Sequence, residues 1–254
     1  MDNIKILLAE DDVLNRKIIL AMLNKMGHKA DVVKNGREVI ETLEKEFYDV
    51  IFMDIYMPGM TGVEVTKYIR ECFPKEKQPV IIAITGGALN GDRDDCFGAG
   101  MNDYIHKPVT KEKLCEALKN YTKGNLNGNF SSSFQKETEE QIFNKSEIMK
   151  RLSGDKSLIQ DIVEMFISNA PPQFEKLKKA LDGNDRETLK ITAHTIKGSA
   201  KNVSAAQAAS IAFEIEKKSG EENSEEISLL IKKLEDSYYK FKEFVSRDYL
   251  SDEI

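Results

Sequence analysis

Over the first half of the chain, short, almost wholly apolar runs alternate with stretches in which apolar residues recur every three or four positions. Runs this short and continuous suit strands buried on both faces, and the intervening period suits helices laid on a sheet. The pattern predicts five strand–helix pairs, and so a parallel sheet with crossover helices. The strands are expected over 5–9, 29–33, 50–53, 80–84 and 103–105, and the helices over 14–26, 36–45, 63–71, 90–99 and 111–121. Gly27 ends the first helix, and Pro58-Gly59 turns the chain after the third strand. The fourth helix, charged and short of apolar residues, is expected to be partly exposed and mobile.

Near residue 122 the texture changes. Residues 123–143, beginning Lys123-Gly124-Asn125-Leu126-Asn127-Gly128, sustain no period and read as a flexible linker. From 144 to 254 no strand pattern appears, and Ile159, Ile162, Val163 and Phe166 open a helical series continued by Phe174, Leu177 and Leu181, then by Leu189, Ala193, Ile196 and Ala200. Pro171-Pro172 is expected to break or kink the first long helix, and Gly183-Asn184 to end the next. Two more helices, over 205–218 and 225–245, and short loops imply an antiparallel bundle. The expected domains are therefore 1–122, α/β, and 144–254, all-α.

At 254 residues the chain has room for two such cores, and its net charge of −6 offers no basic surplus for a nucleic-acid backbone. Cys72, Cys96 and Cys115 have neither the even number nor the spacing of a disulfide or zinc framework. No basic and apolar leader opens the sequence, and no uncharged run is long enough to span a bilayer. The expectation is a cytoplasmic protein without membrane insertion or nucleic-acid binding. With Met1 just before the first strand, it reads as an independent chain.

Charge becomes informative at the carboxyl ends of the strands, where parallel sheets bind ligands. Glu10, Asp11 and Asp12 follow the first strand, Asp54 the third, Thr85 the fourth and Lys107 the fifth. Singly, an acid there is an ordinary turn or helix cap, Lys107 an ordinary surface lysine and Thr85 a locally satisfied hydroxyl. Together they form an acidic pocket that a hard divalent ion such as Mg2+ would relieve, its water positions open to phosphate oxygens. Asp54 could attack a phosphoryl group while the metal and Lys107 neutralise the anionic transition state, with the Thr85 hydroxyl donating to the transferred group and Gly86-Gly87 leaving it space.

On Leu7-Leu8-Ala9-Glu10-Asp11-Asp12, Met53-Asp54-Ile55-Tyr56-Met57-Pro58-Gly59-Met60-Thr61-Gly62, Ala83-Ile84-Thr85 and His106-Lys107-Pro108, residues 4–121 resemble a response-regulator receiver domain. The resemblance implies a doubly wound, flavodoxin-like five-stranded fold whose Asp54 accepts a phosphoryl group as an acyl phosphate. It implies Mg2+ held by Asp11, Asp54 and the carbonyl of Tyr56, with Glu10 acting through water, and a switch pair made of Thr85 and Tyr104. Asp12, where relatives often carry Asn, and Gly86-Gly87, in place of an Ala-containing continuation, depart from the family's usual pattern.

Of three histidines, His28 and His106 read as structural or surface residues. On a helical wheel His194 falls about 140° from the face shared by Leu189, Ala193, Ile196, Ala200 and Val203, so it is expected to point to solvent. Ile191, Gly198 and Lys201 accompany it, with Lys197 at the margin. An exposed imidazole can attack a phosphoryl donor, lysines can offset the phosphate charge, glycine gives clearance and Ile191 gives apolar contact. The plain alternative is a solvated helix face. Residues 145–248, above all Ala193-His194-Thr195-Ile196-Lys197-Gly198-Ser199-Ala200, look like a histidine-containing phosphotransfer domain, a four-helix bundle carrying phosphate on the histidine that matches His194.

Together the two resemblances imply a phosphorelay protein exchanging phosphate with a separate sensor histidine kinase, a downstream response regulator, or both, and transferring between its own domains in cis or in trans. No Gly-rich ATP-binding segment is present, so a phosphotransfer protein is expected rather than a kinase. Two other readings compete: a Mg2+-dependent aspartyl phosphatase, which would want an acid where Tyr56 stands, and a scaffold whose bundle only docks partners.

Overall fold

The computed structural model describes residues 4–86, 90–122, 143–221 and 223–248, and the chain divides into two compact units, 1–133 and 134–254. The first unit runs β1 (Ile6–Ala9), α1 (Val13–Lys25), β2 (Ala30–Val33), α2 (Gly36–Leu43), β3 (Val50–Asp54), α3 (Gly62–Cys72), β4 (Val80–Thr85), α4 (Asn90–Gly98), β5 (Asp103–His106) and α5 (Lys111–Thr122). The strands form one parallel sheet in the order β2-β1-β3-β4-β5. β1 and β3 are buried along their whole length, which is why they read as unbroken apolar runs, whereas the edge strand β2 exposes Asp31 and Val32. The order reverses between β1 and β3, the point at which a doubly wound sheet opens a crevice at its carboxyl edge. Gly87, placed beside the transferred group by the sequence, lies outside the described residues.

α3 starts with a full capping box, Thr61 Oγ1 accepting from Glu64 N and Glu64 Oε2 accepting from Thr61 N. At its far end Arg70 donates to the carbonyls of Gly100 and Pro79 and to Asn102 Oδ1, tying α3 to the approaches of β4 and β5.

The second unit comprises α6 (Lys145–Arg151), α7 (Lys156–Asp182), α8 (Arg186–Asn202), α9 (Ala206–Lys218) and α10 (Ser224–Asp248). α7 packs on α8 and α10, and α9 packs on the same two, closing a four-helix bundle. Its core is rich in aromatic edges: Phe166 meets Phe241 at 5.4 Å and Phe174 meets Tyr238 at 5.3 Å between centroids.

Two expectations are corrected here. Pro171-Pro172 neither breaks nor ends a helix, because α7 runs through both for 27 residues. Pro171 has no N–H for the Ile167 carbonyl, and Tyr238 of α10 donates its hydroxyl to that oxygen at 2.7 Å, so the group freed by proline is satisfied from outside the helix. The expected linker lies outside the described residues except for Phe143, whose ring packs against Phe241 at 5.7 Å and Phe244 at 6.1 Å. Phe143, half-buried, thus packs on the bundle's aromatic residues.

Candidate functional site

The register that pairs Ala9 with Met53, Asp54 with Ile84 and Thr85 with His106 brings the strand ends to one edge. There Glu10 is fully buried, Asp54, Thr85 and Lys107 are buried, and Asp11 is half-buried. Lys107 Nζ lies 2.5 Å from Asp54 Oδ2 and 3.0 Å from Glu10 Oε2. Asn15, from the first turn of α1, donates to Glu10 Oε1 at 2.9 Å, and the Tyr56 amide donates to Asp54 Oδ1 at 3.1 Å. One carboxylate oxygen from each of Glu10, Asp11 and Asp54 lies within 4.8 Å of the others.

Three acids and one lysine leave this edge short of positive charge. Burial, followed by the Asp54 charge, pushes Asp11 up to about 6 and lifts Glu10 well above the carboxylate range, against the pull of Lys107. Burial alone would push Lys107 down, but the Asp54 and Glu10 carboxylates outweigh it and hold the ammonium above its ordinary value. The oxygens of Glu10, Asp11 and Asp54 therefore suit a hard divalent cation.

Local structure explains why each group stands where it does. Asp12 is the N-cap of α1, accepting from Asn15 N at 2.8 Å, so of the three consecutive acids only the first two face the cluster. Gly62 lets α3 start directly under Asp54. A Cβ there would lie 2.3 Å from the Asp54 carbonyl oxygen, and its amide donates to Ile55 O at 2.8 Å. Tyr104 is buried between Phe97 at 5.9 Å and His106 at 5.0 Å, both edge-on.

The second cluster lies in the bundle, where His194 differs from expectation. It does not point to solvent: it is 3 % exposed, with Nδ1 2.6 Å from Glu216 Oε1. Lys197, at 2 % exposed, places Nζ 2.6 Å from Glu216 Oε2 and 5.3 Å from the Phe213 ring centroid. Gly198 is also buried, and Ile191 and Lys201 are half-buried. A wheel drawn on α8 alone marks the face away from α7 as solvent, but α9 covers that face and brings Glu216 and Phe213 with it. Burial raises the Glu216 carboxyl, but the His194 hydrogen bond and charge together with Lys197 outweigh it, so its pKa falls below the ordinary range.

Sequence reasoning missed Asn15, Glu216 and Phe213. Asn15 was readable only as the third residue after a capping acid. Glu216 belongs to an amphipathic helix rich in acids and lysines, with nothing local to single it out.

Comparison with known proteins follows the same division. The family model for the response regulator receiver domain matches residues 6–119, and that for the Hpt domain matches 161–239. Hybrid signal transduction histidine kinase K of Dictyostelium discoideum is 39% identical over 123 residues, covering 46% of this chain and 10% of its own. Signal transduction histidine-protein kinase BarA of Escherichia coli is 28% identical over 200 residues, covering 76% of this chain and 22% of its own. This chain thus spans a tenth to about a fifth of the length of these relatives. Among solved structures, the receiver domain of a sensor histidine kinase from Pseudomonas aeruginosa, with a magnesium ion coordinated in its active-site cleft, is 38% identical over 47% of this chain and 97% of that one, with a TM-score of 0.44. Among the described residues, no helix is long and apolar enough to cross a membrane.

Proposed function

Since residues 6–119 are a response regulator receiver domain and 161–239 an Hpt domain, we propose that the chain is a phosphorelay intermediate that accepts a phosphoryl group on Asp54 and carries one on His194. The observation that carries the reading is the buried Asp54–Lys107–Glu10 cluster: an acid at the strand end paired with one lysine that a second acid also shares. In transfer from a donor phosphohistidine, an Asp54 carboxylate oxygen bonds to phosphorus as the P–N bond breaks, and the electron pair returns to the imidazole. Lys107 and the Thr85 hydroxyl face the charge that develops on the phosphoryl oxygens. A Mg2+ held by Asp11, Asp54 and the Tyr56 carbonyl, with Glu10 through water, would supply the remaining positive charge. Thr85 and Tyr104 form the switch pair, coupling that charge to the Phe97–Tyr104–His106 aromatic row.

In the bundle, Glu216 pairs with Nδ1 of His194, and a neutral imidazole that donates its Nδ1–H there keeps its lone pair on Nε2. Nε2 takes the phosphoryl group from an aspartyl phosphate as the P–O bond to the carboxylate breaks. Because His194 is buried, it must swing outward to do so, and Lys197 then exchanges Glu216 for the phosphoryl oxygens. Ile191, Gly198 and Lys201 form the surface that meets a partner's phosphorylated aspartate. The partners are a sensor histidine kinase and a downstream response regulator, in the cytoplasm. The domains span 1–122 and 144–254 about a linker at 123–143, with exchange between them in cis or in trans. The alignment with a histidine-protein kinase across both units supports this assignment of partners.

The other readings are not favoured. An aspartyl phosphatase wants an acid two residues beyond its nucleophile, where Tyr56 stands. A pure scaffold has no use for the Glu216-oriented imidazole. Phosphate-affinity electrophoresis of the wild type, Asp54→Ala and His194→Ala, with acetyl phosphate and with a phosphorylated partner receiver, tests the reading. Each variant should lose one phosphorylated species; retention of both species in both variants refutes it.

A further inference from the structure

Two of the loops that carry the acidic pocket are each pinned by a cation from the helix that follows. Arg16 stands in the first turn of α1, and its Nη1 donates to the carbonyls of Glu10 at 2.9 Å and Asp11 at 2.8 Å. Lys113 stands in the first turn of α5, and its Nζ donates to the carbonyls of His106 at 2.9 Å and Pro108 at 3.1 Å, on either side of Lys107. Positive charge near a helix N-terminus opposes the helix dipole. Both residues break this rule in the same way, and each directs its charge at two carbonyls of the residues whose side chains build the site. Charge-assisted hydrogen bonds of this kind are roughly twice as strong as neutral ones, so each pair fixes the orientation of two successive or flanking peptide planes. The Lys107 amide is itself held by Thr85 O at 2.7 Å, so with Lys113 the backbone around Lys107 is tied on both sides.

On the phosphoacceptor reading of Asp54, we infer that Arg16 and Lys113 are positioning residues with separate duties. Arg16 orients the Glu10 and Asp11 carboxylates that receive the divalent cation. Lys113 orients the Lys107 ammonium that faces the oxygens of the phosphoryl group on Asp54. Neither touches the reacting atoms. Each acts through the backbone of a residue that does, and the Lys107–Glu10 ion pair joins the two loops.

A crossover experiment on the full chain tests this. Arg16→Met and Lys113→Met keep the length of the side-chain stem and remove the charge. Calorimetric titration with Mg2+, followed by beryllofluoride titration at saturating Mg2+, reads the two duties separately. Arg16→Met should weaken Mg2+ binding by about 10-fold or more, the size expected when support for a ligand is lost, while beryllofluoride affinity at saturating Mg2+ changes by less than about threefold. Lys113→Met should leave Mg2+ binding within about twofold and weaken beryllofluoride binding by about 10-fold. Arg16→Lys and Lys113→Arg should recover most of each loss. Equal loss of both affinities in both variants, in step with a fall in melting temperature, overturns the division and leaves a scaffolding role. Unchanged affinities in a wild-type-like background overturn it outright. A wild-type chain that binds neither Mg2+ nor beryllofluoride overturns the phosphoacceptor reading together with the clamps built on it, whereas normal wild-type binding without the crossover overturns the clamps alone.

Discussion

Each unit of this chain buries a lysine against carboxylate, and the charge around the two lysines differs. At the sheet edge, three acids share Lys107, and burial together with their mutual repulsion pushes Asp11 and Glu10 up. In the bundle, one acid is shared by Lys197 and His194, and Glu216 is pushed down. The first cluster gathers more acid than its lysine can balance, and in the second the lysine and the acid pair one to one. Burial of charge therefore does not by itself mark a metal site; what matters is whether the neighbouring charges close the balance.

The contrast can be broken by removing one acid from each side. Glu216→Leu leaves Lys197 buried beside only an imidazole and should destabilise the bundle by about 3–5 kcal/mol, with the double variant Glu216→Leu, Lys197→Met regaining most of it. Hydrogen exchange read on peptides from residues 161–239 measures this, and a loss below about 1 kcal/mol would show the pair to be worth no more than a surface one. Mg2+ sharpens the contrast next. At one hundred times its dissociation constant it should stabilise residues 6–119 by about 2.7 kcal/mol and leave 161–239 unchanged. A pH scan without metal should show opposite slopes in the two units. Asp11 and Glu10 both hold their protons more tightly when folded, so their unit loses stability as pH rises from the ordinary carboxylate range through about 6 and beyond. Glu216 ionises more readily when folded, so the bundle loses stability as pH falls below the ordinary carboxylate value. The smallest effect is Asp54→Asn, which relieves crowding while Lys107 keeps Glu10 and should stabilise the metal-free unit by about 1 kcal/mol.

The sheet was legible because strands buried on both faces announce themselves as apolar runs, and Asp54 because a carboxylate ends one of them. Glu10, Asp11 and Lys107 followed from strand order alone. What the sequence could not show is what arrives from another element. Glu216 is 22 positions from His194, so a wheel on α8 that placed His194 in water had no means of seeing it. Gly62 reads as an ordinary turn glycine until the Asp54 carbonyl is found where its Cβ would stand. Nothing in the sequence marks Arg16 or Lys113, whose carbonyl partners are brought by the loops after β1 and β5.

The hydroxyl of Tyr238 on the Ile167 carbonyl makes the longest helix among the described residues a shared property of two segments. Excised as a peptide, Lys156–Asp182 would leave that oxygen to water, and its helical content should divide at Pro171 into two short halves, each too brief to persist. Docking of α10 would then replace that water with the Tyr238 phenol, so the continuity of α7 past its prolines is secured from the opposite helix.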